Sequence, residues 1–217
     1  MGSRESGAQR GLAKAGCLIA VGVVLLLALI LGGMLVSRYN GLVTQQEKAR
    51  AAWSEIDNQY KRRYDLVPQL VSTVQGAADF ERSTLEAVTE ARASVGRAQL
   101  PAGLPTDPKQ LQAYVAAQQG LGSALGRLFA VAEQYPALKA TQNFLSLQDQ
   151  LEGTENRIAV ARRDYIDAVR AYNTYRRRFP TNFVAGLFGF DPLAQLEAEA
   201  AERETPKVEF GFDKNKD

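Results

Sequence analysis

One uncharged, apolar stretch constrains this chain more than any other feature. Residues 15–37 lie between Lys14 and Arg38 and read AGCLIAVGVVLLLALILGGMLVS, without a single charge. At about 1.5 Å of rise per residue, a helix of this length spans roughly 34 Å, slightly more than the ~30 Å hydrocarbon core of a bilayer. The sequence therefore predicts a transmembrane helix over residues 15–37, after a short N-terminal segment of residues 1–14.

Two other targeting signals are disfavoured. A cleaved signal peptide is the main alternative, but the run is longer than the roughly 7 to 15 residues of a signal core, and no A-x-A-like site follows it. Cys17 lies at the start of the run rather than at its end, so a lipoprotein is less favoured still. Basic residues flank both sides almost equally. We favour a bacterial inner-membrane protein whose soluble domain lies on the extracytoplasmic side, because long downstream domains translocate largely regardless of charge.

The absence of histidine excludes several kinds of active site. The 217 residues contain no His and one Cys, so Ser-His-Asp or Cys-His catalysis, His-ligated zinc and an intramolecular disulfide are impossible. Carboxylate pairs, carboxylate-bound metals and Lys nucleophiles remain open. The net charge of +2 comes without the concentrated basic face of a nucleic-acid-binding protein. We expect a protein that is not an enzyme, with no cofactor, no small-molecule substrate and no nucleic-acid partner.

Residues 38–178 are predicted to be helical, because apolar side chains recur at intervals of three and four. Breaks at Gly76, at the prolines of residues 101–108 and at Pro136 divide the region into helices near 39–75, 78–98, 108–133 and 137–178. Asp107 before Pro108 is typical of an N-cap, and Pro68 should kink the first helix or end it early. Short connections imply an all-α fold: an antiparallel up-down-up-down four-helix bundle with long first and fourth helices. Its predicted core includes Trp53, Ile56, Tyr60, Ile158 and Tyr165.

An aromatic segment, residues 179–190, follows the fourth helix. In an antiparallel bundle this helix returns to the bilayer, so basic and aromatic side chains there are suited to the headgroup region. An equally weighted alternative is that the aromatic rings cap the open end of the bundle. The predicted membrane-interface residues are Arg38, Tyr39, Arg176, Arg177, Arg178, Phe179, Phe183, Phe188 and Phe190.

Charged residues on inward-facing positions predict two pairs between the first and fourth helices. Counting about 1.5 Å per residue from the membrane end of each helix places Asp57 level with Arg162, and Arg63 level with Glu155. Such pairs would set helix register more than stability. A catalytic carboxylate pair is disfavoured, because the acids alternate with arginines instead of converging. Gly122 and Gly126 indicate a close helix crossing or a contact with another subunit.

Four segments carry a resemblance to a known family. They are SRYNGLVTQQEKARAAWSEIDNQYKRRYDLVPQLVSTVQG, LEAVTEARA, ALGRLFAVAEQYPALKATQNFLSLQDQLEGTENRIAVARRDYIDAVRAYNTYRRRFP and ETPKVEF. Over about Ser37 to Phe210 the chain resembles the LemA family. Gln69 stands where the family often has Asn, and residues 78–80 replace a more polar stretch that contains His, so no role of that histidine carries over. The resemblance implies a bacterial membrane protein with one transmembrane helix and a helical bundle. It also implies an association with envelope stress or membrane organisation, as in a magnetosome relative, but no established activity.

These observations together predict a single-pass, membrane-anchored scaffold of the bacterial envelope. Its expected partners are the lipid bilayer and either a second copy of the chain or another envelope protein. An adaptor for a membrane protease or transporter is the alternative, and a His-independent envelope enzyme is a remote one. Residues 191–217 are predicted to form a mobile acidic tail, in which PKVEF is either a strand-like or a docking segment.

Overall fold

The computed structural model describes residues 5–76, 80–98, 100 and 103–196, with residues 5–20 as helical backbone. Within these ranges it contains helices and no strand, which confirms an all-α fold with an N-terminal apolar helix. The helices are α1 (Glu5–Gln75), α2 (Arg82–Arg97), α3 (Pro108–Ala132), α4 (Pro136–Lys139), α5 (Gln142–Arg177) and α6 (Thr181–Leu187).

Helix α1 runs without a break from the apolar stretch into the soluble domain. Its 71 residues make a helix roughly 107 Å long. The large apolar side chains from Val21 to Val36 are exposed, and this section is long and apolar enough to cross a membrane. From residue 21 onward, the first buried side chain is that of Leu42. The change from an exposed apolar helix to a packed one therefore occurs between Val36 and Leu42.

Helix α1 also continues through Pro68, where a kink or an early end was predicted. Proline has no backbone N–H, so the carbonyl of Tyr64, four residues earlier, loses its partner within the helix. The guanidinium of Arg92 on α2 replaces that partner: its Nε donates to the Tyr64 carbonyl at 3.2 Å. The same guanidinium lies 3.8 Å from the centre of the Tyr64 ring. A side chain distant in sequence thus satisfies the backbone that the proline leaves unbonded.

The soluble section of α1 packs antiparallel along α5, and α2 packs on α3. The rings of Trp53 and Tyr165 lie 5.3 Å apart between centroids. Gly41 allows close contact nearer the membrane, because a Cβ there would lie 2.6 Å from Cζ of Tyr175. The predicted core residues Trp53, Ile56, Tyr60, Ile158 and Tyr165 are all buried in one hydrophobic cluster. Helix α3 joins this cluster through Leu111 and Tyr114, and the finer up-down-up-down bundle arrangement stays a prediction.

Two helix boundaries follow local hydrogen bonds. Asp107 caps α3 as predicted, accepting from the backbone N–H groups of Lys109 at 2.8 Å and Gln110 at 3.4 Å. The predicted fourth helix is instead two helices, α4 and α5, with a break at Ala140 and Thr141. The Thr141 hydroxyl donates to the Leu138 carbonyl at 2.7 Å, and such local bonds compete with helix continuation.

A short strap, residues 189–196, follows α6 and packs back along the bundle. It starts at Gly189, whose φ of 70° lets the Phe190 N–H donate to the Ala185 carbonyl at 2.9 Å and end the helix. Leu193 and Leu196 are buried. Two tyrosine hydroxyls of α5 donate to strap carbonyls: Tyr172 to Asp191 at 2.8 Å and Tyr165 to Ala194 at 3.0 Å. The Asn173 side-chain amide both donates to the Leu193 carbonyl and accepts from the Leu193 N–H.

The strap changes the boundary that the sequence placed at Asp191. Residues 191–196 were assigned to a mobile acidic tail, but their apolar side chains reach the core and their backbone is bonded to α5. Residues 197–217, including PKVEF, lie outside the described residues.

Candidate functional site

Two surfaces stand out on the soluble domain. The first is the membrane-proximal surface, formed by residues 176–188 together with Tyr39. Helix α6 buries Thr181, Val184 and Ala185 against α1 and α5, and it leaves Phe183 67% exposed. The other large apolar side chains of this surface also point away from the core: Leu187 of α6 and the flanking Phe179 and Phe188 are exposed.

Contacts with α1 establish the level of this surface along the helix. The Tyr39 ring lies 5.0 Å from that of Phe188 and 5.5 Å from that of Phe190, between centroids. Tyr39 is three residues beyond Val36, the last of the exposed apolar side chains of the predicted span. The surface therefore lies within about one helical turn of the end of the apolar section.

The structure divides the aromatic residues of this segment into one buried ring and three exposed rings. Phe190 is only 8% exposed and joins the core cluster, so it caps the end of the bundle. Phe179, Phe183 and Phe188 face outward. Among the arginines, Arg177 and Arg178 are exposed and Arg38 is half-buried. Arg176 Nε donates to the Phe190 carbonyl. The charged side chains of these arginines therefore lie beside the exposed rings of residues 179–188.

The second surface is the α3–α5 groove, a cleft of about 830 Å³. One face of α3 forms a wall from Pro108 to Ser123, a rise of roughly 22 Å. Helix α5 forms the opposite wall, and the strap residues Gln195 and Leu196 close one end. The groove is lined by apolar, amide and charged side chains: Leu111, Val115, Ile158, Gln112, Gln118, Gln119, Arg63, Glu155 and Arg162.

The floor of the groove contains Arg63, which is 3% exposed. Its Nη2 donates to the Gln118 carbonyl at 2.8 Å and to the Gln118 Oε1 at 2.6 Å. Its Nη1 donates to Glu155, whose side chain is 46% exposed. The guanidinium also lies 5.3 Å from the centre of the Tyr60 ring. One buried cation therefore connects α1, α3 and α5.

The structure brings Arg63 and Glu155 together, as the helix-register argument predicts. Asp57 lies near Tyr114 of α3, close enough for its carboxylate to act on the Tyr114 hydroxyl. Burial raises the pKa of Tyr114 to about 12. A hydrogen bond to Gln118 opposes this shift, and the Asp57 charge adds to it by a smaller amount than the Gln118 bond removes. The Asp57–Arg162 pair stays a prediction.

The glycines predicted as a subunit contact occupy different environments. A Cβ at Gly122 would lie 3.3 Å from Nη1 of Arg63 and 4.0 Å from the Glu155 Oε1. Gly122 therefore provides the space that the ion pair occupies. Nothing lies within 4 Å of a Cβ built at Gly126, so that position is open. A role of either glycine in subunit contact stays a prediction.

Sequence analysis did not identify Gln118 and Tyr114 as partners of the predicted pairs. A signal was present, because Gln118 is a polar residue on the inward stripe of α3, between Leu111 and Leu125. In chemical terms the groove supplies donors, acceptors and apolar contacts. Over the described residues, no group of three or more His, Cys, Asp or Glu side chains is placed to hold a metal ion.

Comparisons with known proteins agree with the sequence resemblance. The model of the LemA family matches residues 52–210. Magnetosome protein MamQ 2 of Paramagnetospirillum magneticum is 29% identical over 200 residues, covering 85% of this chain and 73% of the relative. Magnetosome protein MamQ of Magnetospirillum gryphiswaldense is 28% identical over 213 residues, covering 91% of this chain and 78% of the relative. Protein LemA of Metamycoplasma hominis is 28% identical over 168 residues, covering 77% of this chain and 73% of the relative.

Proposed function

Because the chain belongs to the LemA family, we propose that it is a single-pass, membrane-anchored helical scaffold of the bacterial envelope. It works by binding, and no residue is assigned a catalytic role. The observation that carries the proposal is the continuity of α1, in which the exposed apolar section and the core of the soluble domain form one helix. A rigid connection of this kind holds a binding surface at a set distance from the bilayer.

The relatives support a role in organising a membrane. Two of those compared are named as magnetosome proteins, and their similarity extends over most of this chain. We propose that the present protein likewise assembles on or within a membrane, and that its soluble domain recruits either a second copy or another envelope protein.

The α3–α5 groove is the proposed recruiting site. Its length of roughly 22 Å suits about four turns of a partner helix or a short extended segment. Its mixture of apolar walls and amide groups provides both affinity and orientation. The Arg63–Glu155 pair keeps the floor in one geometry, because the buried guanidinium is bonded to both walls.

Site-specific photocrosslinking in native membranes tests this proposal. In a Cys17→Ala background, a benzophenone maleimide is attached to a Gln112→Cys variant, whose position lines the groove, or to a Gln110→Cys variant. Both glutamines are exposed on α3, but two helical positions separate them by about 200°. The proposal requires a discrete adduct from Gln112→Cys that is absent from Gln110→Cys.

The mass of the adduct identifies the partner. An adduct of twice the mass of the chain indicates self-association, and any other discrete mass indicates a different envelope protein. Equal labelling from both positions, or none from either, contradicts recruitment through the groove. A purified protein that stays a detergent-bound monomer at every concentration contradicts the self-assembling form of the scaffold.

We further propose that the soluble domain lies on the extracytoplasmic side of the inner membrane. A Thr106→Cys variant in the Cys17→Ala background carries its single thiol on the exposed connection before α3. A membrane-impermeant thiol reagent should label it in cells whose outer barrier alone has been opened. Labelling only after the inner membrane is permeabilised contradicts this orientation.

A further inference from the structure

Exposed apolar side chains are concentrated at one end of the soluble domain. Beyond the apolar section of α1, the large apolar side chains exposed among the described residues are Tyr39, Leu145, Val160, Phe179, Phe183, Leu187 and Phe188. Most of them belong to the membrane-proximal surface, within one short stretch of chain and its α1 neighbour. Monomeric soluble proteins rarely expose such a contiguous patch, and its presence marks an interaction site.

Resting on the membrane anchorage proposed above, we propose that the outer face of α6 inserts into the headgroup region of a bilayer rich in anionic lipid. Tyr39 lies about 4.5 Å beyond Val36 along α1. The polar region on each side of a bilayer is roughly 5 to 7 Å thick. Tyr39 therefore lies within that region when the apolar section spans the hydrocarbon core, and the Phe188 ring packs against it at 5.0 Å between centroids.

The surface is held in place by the fold. Thr181, Val184 and Ala185 are buried against the bundle, and Gly189 ends the helix by the backbone bond from Phe190 to Ala185. Because α1 is one unbroken helix, the bundle and α6 do not depend on a flexible linker to reach the lipid. Aromatic side chains on such an interfacial helix are stable at the headgroup boundary.

The charges beside the aromatic face select anionic lipid. Arg177 and Arg178 are exposed at the end of α5, and Arg38 lies half-buried on α1. Arginines within a few ångströms of the surface are attracted to lipids with a net negative headgroup, and the attraction falls off within a Debye length. Asp191 contributes one negative charge at this end. The two exposed arginines outweigh it, so the net charge of these three residues is positive.

Fluorescence quenching by lipid measures the depth of single positions. The full-length chain, in a Cys17→Ala background, is reconstituted into phosphatidylcholine vesicles containing phosphatidylglycerol. An NBD fluorophore is attached to a Phe183→Cys, Leu26→Cys or Val160→Cys variant, all exposed positions outside the core. Val160, 54% exposed on α5, is the matched control, because it lies roughly 26 Å from the membrane end of that helix. Doxyl groups near the headgroup or deep in the acyl chain act as quenchers.

We expect the Phe183 position to be quenched most by shallow doxyl groups, the Leu26 position most by deep ones, and the Val160 position by neither. Quenching at Phe183 no stronger than at Val160, with normal quenching at Leu26, overturns this inference and leaves the anchored scaffold intact. Absence of quenching at Leu26 overturns the membrane anchorage itself and with it the inference.

A second comparison tests the choice of lipid. With phosphatidylglycerol present, shallow quenching at Phe183 should rise about twofold over pure phosphatidylcholine, because the arginines add attraction to the negative surface. An Arg177→Gln, Arg178→Gln double variant should remove that difference. The matched Arg62→Gln, Arg163→Gln variant, exposed but far from the membrane end, should keep it. Equal quenching in both lipids, or equal loss in both double variants, contradicts the preference for anionic lipid.

Discussion

Replacement of Arg63 by Met should destabilise the protein more than the loss of any surface charge. The guanidinium is 3% exposed and donates to the backbone and side chain of Gln118 and to Glu155. Methionine is similar in length but donates nothing. Arg63→Met therefore leaves the buried Gln118 Oε1 without the guanidinium from which it accepts, whereas the methionine itself adds no polar group to the core.

The magnitude follows from these bonds. Hydrogen bonds from a charged donor contribute about 1.5 to 3 kcal/mol each to stability. In the variant, part of this loss is offset, because folding no longer requires a cation to be desolvated. We expect Arg63→Met to lower the free energy of unfolding by about 3 kcal/mol. Glu155→Gln keeps an acceptor at a position that is 46% exposed, so its cost should be about 1 kcal/mol or less. The two changes should couple by about 1 kcal/mol, because they remove the same ion pair.

Urea denaturation in mild detergent, followed by fluorescence, measures these values. The chain has a single tryptophan, and Trp53 is buried against the rings of Tyr114 and Tyr165, so it reports unfolding of the core. Arg62→Met, at the exposed neighbouring position, is the control and should change stability by less than about 0.5 kcal/mol. If Arg63→Met behaves like Arg62→Met, or if the double-mutant cycle shows no coupling, the assignment of Arg63 as the central connection is wrong.

Three further predictions follow from other contacts. Arg92→Met should cost about 1 kcal/mol more in the native background than together with Pro68→Ala, since alanine restores the helical N–H and only the contact with the Tyr64 ring is then lost. Equal costs in both backgrounds, measured by the same urea titration, would refute the compensation. The folded chain holds Tyr114 protonated to about pH 12 and the unfolded chain ionises it near pH 10. Its contribution to stability is therefore full below pH 10 and is lost between pH 10 and 12, so Tyr114→Phe should make that decline shallower. Asn173→Ala should speed hydrogen exchange in the strap through loss of two hydrogen bonds, while Asn143→Ala, at an exposed site, should not.

The sequence was enough to predict which residues of two helices lie level with each other where both helices could be counted from the same end. Helices α1 and α5 meet at the membrane end and rise equally per residue, so counting from that end was enough to bring Arg63 level with Glu155. The third member, Gln118, was not accessible in this way. Its contribution depends on how α3 is rotated against the other two helices, and the connection before α3 carries no information on that rotation. The same uncertainty applies to Tyr114, because its proximity to Asp57 also depends on the rotation of α3.

The early helix end that Pro68 allowed does not occur, for a similar reason. Proline removes an N–H, and a local argument therefore expects the helix to kink or to end early. Arg92, on another helix, donates to the Tyr64 carbonyl that the proline leaves without a helical partner, and the helix continues. Residues 191–196 were predicted to be mobile from an acidic composition. The buried side chains of Leu193 and Leu196 and the backbone bonds to α5 instead hold them against the core.

Sequence alone determined the apolar span, the helical class, most helix boundaries and the exclusion of histidine chemistry. These are properties of single residues or of short periodic segments, and bilayer thickness and helix geometry convert them directly into structure. The tertiary structure decided the passage of α1 through Pro68, the strap, the α3–α5 groove and which aromatic rings face outward. Each of those depends on a partner distant in the chain, because a buried polar group or an apolar face is stable only when another element satisfies or covers it.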